Sequence, residues 1–261
     1  MDSPDRRHLL GVVATGATAG CLSVPSFGSR ETTQDVPTAV RLGKHGRPSN
    51  ICEQEIVEDF EVRGIVDPAF ADTWDGREIR PKYRQNDRDA VAPLADDAAV
   101  IGVTTDDRAR AYPVPVVWWH EVVNDTFGEP LLVTFCGLCN SGMVAKRLVR
   151  GEPTRFGVSG QLWRPPDLYA RAAATKNVTF GSRRWADNGT VKRDVRIEGN
   201  LVLYDEATRS FWSQILARGI CGPMAGETLT QVPIRLTDWG TWRTDHQETD
   251  VLLPPPHSTL S

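Results

Sequence analysis

Short runs that alternate apolar with polar residues dominate the middle of the chain and predict a mostly β structure. Each pair of runs is separated by a polar or glycine-containing turn, which is typical of hairpins. The three predicted hairpins join 98–103 to 108–112, 143–149 to 154–158, and 201–204 to 210–214. Helical patterns are confined to about 116–123 and 237–244. We therefore predict a single α+β domain, predominantly antiparallel β, with few short helices.

The ends of the chain have a different pattern from the middle. The pair Arg6-Arg7 precedes an apolar run of about 11 residues, well short of the roughly 20 that a membrane-spanning helix needs. The order of charge, apolar run and small residues before Cys21 predicts a twin-arginine signal peptide over 1–20, with lipid attached to Cys21. We expect the protein to be extracytoplasmic and anchored to the outer face of the cell membrane.

The rest of the chain divides into three segments by composition. Residues 21–50 are rich in Ser, Thr, Pro and Gly and predict a flexible tether. Residues 51–253 form the predicted domain, and 254–261 are expected to be a disordered tail. The chain has 261 residues, of which 40% are hydrophobic, so the domain can bury a sizeable core. Its net charge of −4 argues against a nucleic-acid partner.

The most informative motif is a predicted strand, 131–135, that runs into Cys136-Gly-Leu-Cys139. Two thiols at this spacing can close a structural disulfide, bind a soft metal ion or exchange disulfides. In an exported chain a structural disulfide gains weight as an explanation. With Cys21 assigned to lipid, four cysteines remain, and we favour pairing Cys136 with Cys139 and Cys52 with Cys221, because the tight turn closes easily.

His120 is the best candidate partner for these thiols, since it lies in a Trp-Trp-His-Glu context just upstream. With Cys136 and Cys139 it would make a site suited to copper or zinc, with Met143 or Cys221 as a possible fourth ligand. The same imidazole could act as a base or activate a thiol. The alternative is a buried histidine bonded to a neighbouring carbonyl group.

Six further residues are candidates for binding. Glu121 and Asp125 could orient His120 or cap a short helix, and Asn124 stands where a zinc protease would need a second histidine, which excludes that class. A second cluster, Trp212-Ser-Gln214, offers a hydroxyl at Ser213 and an amide at Gln214 beside an aromatic ring that suits a core. The candidates are Glu121, Asn124, Asp125, Trp212, Ser213 and Gln214.

Five motifs in order resemble the family catalogued as domain of unknown function 3179. They are Trp119-His-Glu-Val-Val-Asn-Asp125, Val133-Thr-Phe-Cys-Gly-Leu-Cys139, Phe156-Gly-Val-Ser-Gly160, Asn200-Leu-Val-Leu-Tyr-Asp205 and Ser210-Phe-Trp-Ser-Gln214. The resemblance spans roughly residues 55–252 and implies an exported, β-rich single domain whose activity is not established. The chain departs from the family pattern at 161–199, which we interpret as an insertion on the surface.

Two functional hypotheses follow from the sequence. The first is a soft-metal or thiol redox site built from Cys136, Cys139 and His120. The second is a non-catalytic cell-surface binding module in which the same cysteines form a structural disulfide. The substrate, the redox partner and the oligomeric state are not determined by the sequence.

Overall fold

Eighteen strands and two short α-helices make up the regular structure of the described residues. The computed structural model describes residues 51–57, 60–83, 93–163, 182–187, 190–196 and 199–261. The helices are α1, Val114–His120, and α2, Trp239–Asp245. The strands, in chain order, are β1 Ile65–Asp67, β2 Ala69–Ala71, β3 Ala99–Thr104, β4 Ala109–Pro113, β5 Val122–Phe127, β6 Glu129–Cys136, β7 Ser141–Lys146, β8 Leu148–Val149, β9 Glu152–Pro153, β10 Phe156–Trp163, β11 Ser182–Asp187, β12 Thr190–Arg196, β13 Asn200–Asp205, β14 Phe211–Ser213, β15 Arg218–Cys221, β16 Arg235–Asp238, β17 Asp250–Leu253 and β18 Thr259–Leu260.

Three sheets pack in layers around two large hydrophobic cores, with a third, smaller core on the outer sheet. The central sheet has the order β18-β1-β5-β6-β7, the helix-flanked sheet β16-β3-β4-β17-β2, and the outer sheet β10-β13-β14-β15. Most neighbouring strands are antiparallel, with β1–β5 and β4–β17 as parallel pairs. Small two-stranded ladders, β8–β9 and β11–β12, complete the described strands. The predicted class, α+β and mostly antiparallel β, is confirmed.

The central sheet is buried on both faces, which explains its nearly continuous apolar sequence. Val123 and Val133 face the core shared with the helix-flanked sheet, whereas Val122 and Leu132 face the core shared with the outer sheet. Successive residues of a strand point to opposite faces, so a strand between two cores must be apolar at almost every position. Cys136, at the end of β6, belongs to the second of these cores.

Both predicted helices are present, and their limits have local causes. Helix α1 begins after Pro113 and has Pro115 in its first turn, where a missing N–H is tolerated. It ends at Glu121, whose φ of 56° is left-handed. Helix α2 begins at Asp238, whose side chain accepts a hydrogen bond from the Thr241 N–H.

Two of the three predicted hairpins are confirmed, β3–β4 and β13–β14. The third is much smaller than expected, because only Leu148–Val149 and Glu152–Pro153 pair across its turn. The flanking strands β7 and β10 pair instead with β6 and β13. Burial against distant strands overrides the local pattern here.

The structure differs from the predicted start of the insertion and from the predicted tail. Strand β10 continues to Trp163, which is buried and lies opposite Asn200, so residues 161–163 belong to the outer sheet. At the other end, Thr259–Leu260 pairs with β1, and the buried hydroxyl of Ser258 donates to the Leu253 carbonyl at 2.5 Å. The end of the chain is therefore an ordered part of the domain, and the prediction of a disordered tail is wrong.

A disulfide joins the start of the described domain to the outer sheet. Cys52 lies in the short 3-10 helix Ile51–Glu53 and is bonded to Cys221 at the end of β15, with Cα atoms 5.3 Å apart. Ile51 is buried in the same small core as Cys221, on the face of the outer sheet that points away from the central sheet. The predicted Cys52–Cys221 pairing is confirmed.

Candidate functional site

The Cys136–Cys139 turn connects the end of β6 to the start of β7. The Cys139 N–H donates to the Cys136 carbonyl at 3.2 Å, and Asn140 takes a left-handed φ of 51° before the chain returns. The two sulfurs form a disulfide, with Cα atoms 5.4 Å apart. Cys136 is 0% exposed, whereas Cys139 is only partly buried. The two sulfurs are therefore unequal, and a molecule from solvent reaches Cys139 first.

A network of buried amides supports this turn. Gln214 donates to the Ser141 carbonyl at 2.8 Å and accepts from Asn200 at 2.8 Å and from the Ser141 hydroxyl at 3.1 Å. Ser141 lies directly opposite Cys136 in the β6–β7 ladder. Because each buried polar group has a partner, the network holds the first residue of β7 in one position beside the disulfide.

The backbone that leads into the outer sheet also approaches the Cys139 sulfur. The Gly199 carbonyl oxygen lies 3.0 Å from the Sγ of Cys139, and Asn200 follows it as the first residue of β13. After reduction, the Cys139 thiol could donate a hydrogen bond to this oxygen. The sulfur is thus held between the end of the central sheet and the start of the outer sheet.

Helix α1 packs against the other side of the turn. A side chain at Gly137 would place its Cβ 2.3 Å from the Nε1 of Trp118, so only glycine permits this approach. Trp118 itself is exposed, as are Leu138 on the turn and Ile215 and Leu216 after Gln214. The disulfide therefore opens onto a surface that is largely apolar.

His120 is close to the turn in sequence, but its ring has other partners. Nδ1 lies 2.8 Å from the Arg63 carbonyl, which can only accept, so Nδ1 carries the proton. Nε2 lies 2.6 Å from the Tyr83 hydroxyl, which then donates to it. Burial lowers the pKa of His120 and nearby Lys82 lowers it further, against the opposing effect of the bond to Arg63. The geometry matches the alternative interpretation, a buried neutral histidine bonded to a carbonyl.

A metal centre built on the two cysteines and His120 finds no support in this geometry. Both ring nitrogens of His120 are used, and Cys221 is bonded to Cys52. Met143 is buried in the same core as Cys136. Across the described residues, no three or more His, Cys, Asp and Glu side chains come together in a group that could hold a metal ion.

Glu121 and Asp125 do not orient His120. The Asp125 carboxylate accepts from the Tyr112 hydroxyl at 2.6 Å and pairs with Arg110 at 2.9 Å, which stabilises the join between β4 and β5. The Glu121 carbonyl accepts from the Phe135 N–H at 3.1 Å, next to Cys136. Burial raises the pKa of the Glu121 carboxyl to about 7. This carboxyl is the group near the turn that titrates around neutral pH.

The other candidate binding residues have structural roles. Asn124 donates to the Phe156 carbonyl at 2.9 Å and accepts from the Phe156 N–H at 2.7 Å, which joins the central and outer sheets. Trp212 is buried and donates to Asp205 at 2.8 Å. The Ser213 hydroxyl is buried without a hydrogen-bond partner within the described structure, so nothing activates it as a nucleophile. Of this group, Gln214 alone contacts the disulfide turn's network.

A separate cleft of about 460 Å³ lies elsewhere along the outer sheet. Trp212, Arg150, Met224 and Glu227 are among the residues that line it. No cysteine lines this cleft, so it is distinct from the disulfide turn.

Sequence reasoning missed Ser141, Asn200, Gly199 and Trp118 as parts of the site. The signal for Ser141 was its position two residues after Cys139, and Asn200 begins one of the five motifs. Nothing in the sequence indicated that Tyr83 would bind His120, since the two are 37 residues apart.

The residues that predict export lie outside the described part of the chain. Arg6, Arg7 and Cys21 all precede residue 51, as does the predicted tether. Among the helices that are described, none is long and apolar enough to cross a membrane.

Comparison with known proteins identifies a family and no function. A family model described as "Protein of unknown function (DUF3179)" matches residues 78–168 and 191–259. The residues between these two matches, 169–190, lie inside the predicted insertion. No curated protein and no solved structure matches the chain. The matched residues make up more than half of the chain, and the protein belongs to the DUF3179 family of unknown function.

Proposed function

We propose that this protein is an exported, lipid-anchored thiol–disulfide exchange protein whose reactive group is the Cys136–Cys139 disulfide. The observation that carries the proposal is the inequality of its two cysteines, with Cys136 fully buried and Cys139 only partly buried. Exchange requires attack on one defined sulfur and departure of the other. A structural staple needs no such difference.

The reaction is a two-electron exchange with a dithiol on another protein. A thiolate of that protein bonds to the Sγ of Cys139, the Cys139–Cys136 bond breaks, and Cys136 leaves with the electron pair and takes up a proton. The partner's second thiolate then attacks the partner sulfur that is bonded to Cys139. This closes the partner's disulfide and releases Cys139, which is protonated. The partner loses two electrons and two protons, and the Cys136–Cys139 pair gains them; the reverse sequence restores the disulfide.

Export is consistent with this chemistry, because the oxidised form of the pair persists outside the reducing cytoplasm. The pair Arg6-Arg7, the apolar run and Cys21 support a twin-arginine signal followed by lipid attachment. In a cell that expresses the full chain, we expect Cys21→Ala to release the exported protein from the membrane fraction. Retention of that variant on the membrane would contradict the lipid anchor and leave the thiol chemistry to be judged separately.

The exchange reaction is tested by trapping the mixed disulfide. In a Cys136→Ala variant the Cys139 thiolate should attack the disulfide-linked dimer of a cysteine peptide, keep one half as a mixed disulfide and release the other half as a thiol. The adduct should accumulate, because no Cys136 thiol is present to displace it. Cys139→Ala is the matched control and should trap little, since Cys136 is buried. Intact-mass measurement after acid quench would quantify both adducts. Equal trapping, or none on Cys139, would refute the proposal.

The second candidate is a cell-surface binding module with a structural Cys136–Cys139 disulfide. The buried network of Gln214, Asn200 and Ser141 favours it, because such networks fix a turn without any chemistry. On this alternative the disulfide would stay closed in the native protein whatever the redox buffer.

A further inference from the structure

Four exposed apolar side chains surround the Cys136–Cys139 turn. Trp118 and Leu138 are each 40% exposed, Ile215 is 42% exposed and Leu216 is 38% exposed. We call these four residues the apolar rim. They account for half of the large hydrophobic residues that are exposed across the described residues, and such grouping is typical of interaction surfaces.

Contacts of two rim residues place the apolar rim around the Cys139 sulfur. Trp118 packs on Gly137, and Leu138 is the residue between Gly137 and Cys139. On the other side, the Ile215 N–H donates to the side-chain oxygen of Asn200 at 2.9 Å. The carbonyl of Gly199, the residue before Asn200, lies 3.0 Å from the Sγ of Cys139. Apolar side chains thus lie on both sides of Cys139.

Two of the three segments that form this surface, the disulfide turn and the residues around Ile215, carry no formal charge. Residues 136–142 and 213–217 contain no Asp, Glu, Lys or Arg. Nothing in them would attract a charged ligand or compensate the desolvation of one. The surface therefore selects an uncharged, apolar occupant.

The edge of the central sheet beside the turn is open to another strand. Farther along β7, Val144 accepts from the Val232 N–H at 2.9 Å, and the Lys146 N–H donates to Thr230 at 2.8 Å. Alternation directs the N–H and C=O of Gly142 to the same side, where residues 230–232 no longer cover the strand. Gly142 is exposed, and neither group has a backbone partner among the described residues.

We propose that this surface binds an extended, uncharged apolar segment of another polypeptide and presents that segment's cysteine to Cys139. Its backbone bonds to Gly142 as an added strand, and its side chains cover Leu138 and Ile215. The proposal rests on the exchange reaction at Cys139 and names its substrate class: proteins whose cysteines lie in exposed apolar segments, as in chains that have not finished folding. A site without this surface would instead react with any small thiol at a similar rate.

Binding without chemistry is tested first. The probe is a dye-labelled peptide with Val-Leu on each side of a Ser in place of its Cys, added to the Cys136→Ala/Cys139→Ala protein. Fluorescence anisotropy should show saturable binding, and Leu138→Ser or Ile215→Ser should weaken it at least fivefold. N-methylation of the peptide backbone should weaken it similarly, because an added strand needs its N–H groups. A peptide with Asp flanks is the matched control; equal binding of both peptides would overturn the docking proposal.

Exchange rates then separate this inference from the reaction beneath it. With cysteine restored to both peptides, the apolar one should reduce the native Cys136–Cys139 disulfide at least tenfold faster than the Asp peptide. Leu138→Ser should lower this ratio toward one, with both peptide rates divided by the rate of the same variant with dithiothreitol. Equal rates for the two peptides, with normal reaction toward dithiothreitol, would overturn the apolar-segment proposal alone. A disulfide that resists dithiothreitol and both peptides would overturn the exchange reaction as well.

Discussion

The two disulfides of this domain differ in what they do for the fold. Cys52–Cys221 joins residues 169 positions apart, whereas Cys136–Cys139 joins residues three apart. In the chain-entropy model, loops of these sizes stabilise a folded protein by about 5 and about 2 kcal/mol. The long-range disulfide ties a separate 3-10 helix to the outer sheet, while the short one closes a turn that backbone bonds and buried amides already hold.

A contribution to stability therefore explains the Cys52–Cys221 disulfide better than it explains Cys136–Cys139. A turn that the Ser141–Gln214–Asn200 network already fixes gains little from a covalent bond. What distinguishes the Cys136–Cys139 pair is its surroundings, with one buried sulfur, one reachable sulfur and an apolar rim. These features are useful for exchange and unnecessary for a staple.

The largest effect should come from removing each disulfide in turn. Cys52→Ala/Cys221→Ala should lower the free energy of unfolding by about 5 kcal/mol, and Cys136→Ala/Cys139→Ala by about 2 kcal/mol. Urea denaturation of the oxidised proteins, followed by circular dichroism, measures both. The two variants remove the same atoms, so each controls for the other. A larger loss from the short-range pair would reverse the assignment of roles.

A pH-dependent effect of intermediate size should arise at Glu121, whose carbonyl holds the residue before Cys136. Its pKa is raised from 4.5 to about 7 by burial, so the folded protein binds this proton more tightly than the unfolded chain. The contribution of this proton to the free energy of unfolding is therefore complete below pH 4.5. It is lost as the pH rises through about 7, and the total loss is up to about 3 kcal/mol.

Glu121→Gln should remove that pH dependence and raise stability at pH 8. Urea midpoints across pH 4 to 8 measure the change against the parent protein. His120, whose pKa burial lowers, acts in the opposite sense, because its protonation destabilises the fold as the pH falls. An unchanged slope in the Gln variant would contradict the burial of this carboxyl.

Loosening the amide network should act on one disulfide alone. Gln214→Ala removes the bond from the Asn200 amide and the bond to the Ser141 carbonyl, which costs about 1–3 kcal/mol. We expect dithiothreitol to open Cys136–Cys139 several-fold faster in this variant. Cys52–Cys221 serves as the internal control, since Gln214 has no contact with it among the bonds described, and its rate should be the same. Equal acceleration of both would indicate global destabilisation instead.

The smallest effect on exchange is expected from His120→Ala. The imidazole is bonded to Tyr83 and Arg63, so it does not activate a thiol, and the exchange rate should change by less than about twofold. Stability should fall by about 1–3 kcal/mol, because the variant removes the partner of the buried Tyr83 hydroxyl. A large fall in exchange at unchanged stability would restore the Cys–His hypothesis.

Two hairpins, both helices and the Cys136–Cys139 pairing followed from the sequence because their causes are local, whereas Cys52–Cys221 followed only as the pairing of the two cysteines that remained. The apolar run of β6 and its tight Cys-x-x-Cys turn lie within a few residues of each other. Strand ends were less predictable, as at Trp163 and at Thr259–Leu260, because pairing with β13 and β1 across the fold determines them.

The candidate site was predicted in part for the same reason. The cysteines were visible in the sequence, whereas the partner of His120 was not, since Tyr83 reaches it only through the tertiary fold. Gln214 was chosen beside Ser213 on pattern alone, but their surroundings differ completely: Gln214 joins the turn's network, and the Ser213 hydroxyl has no partner in the described structure. Strand β14 ends at Ser213 and Gln214 begins the turn after it, and the sequence did not show that this turn meets Ser141 across the fold.

The most direct test of the reactive disulfide is a redox titration of the native protein. The protein is equilibrated with graded mixtures of reduced and oxidised glutathione, whose single thiol allows mixed disulfides to persist, then alkylated, and its thiols are assigned by mass spectrometry. We predict that Cys136–Cys139 opens and recloses reversibly, that mixed disulfides form on Cys139, and that the far-ultraviolet circular dichroism does not change. A disulfide that opens only when the protein unfolds, or that is attacked at Cys136, would contradict the account.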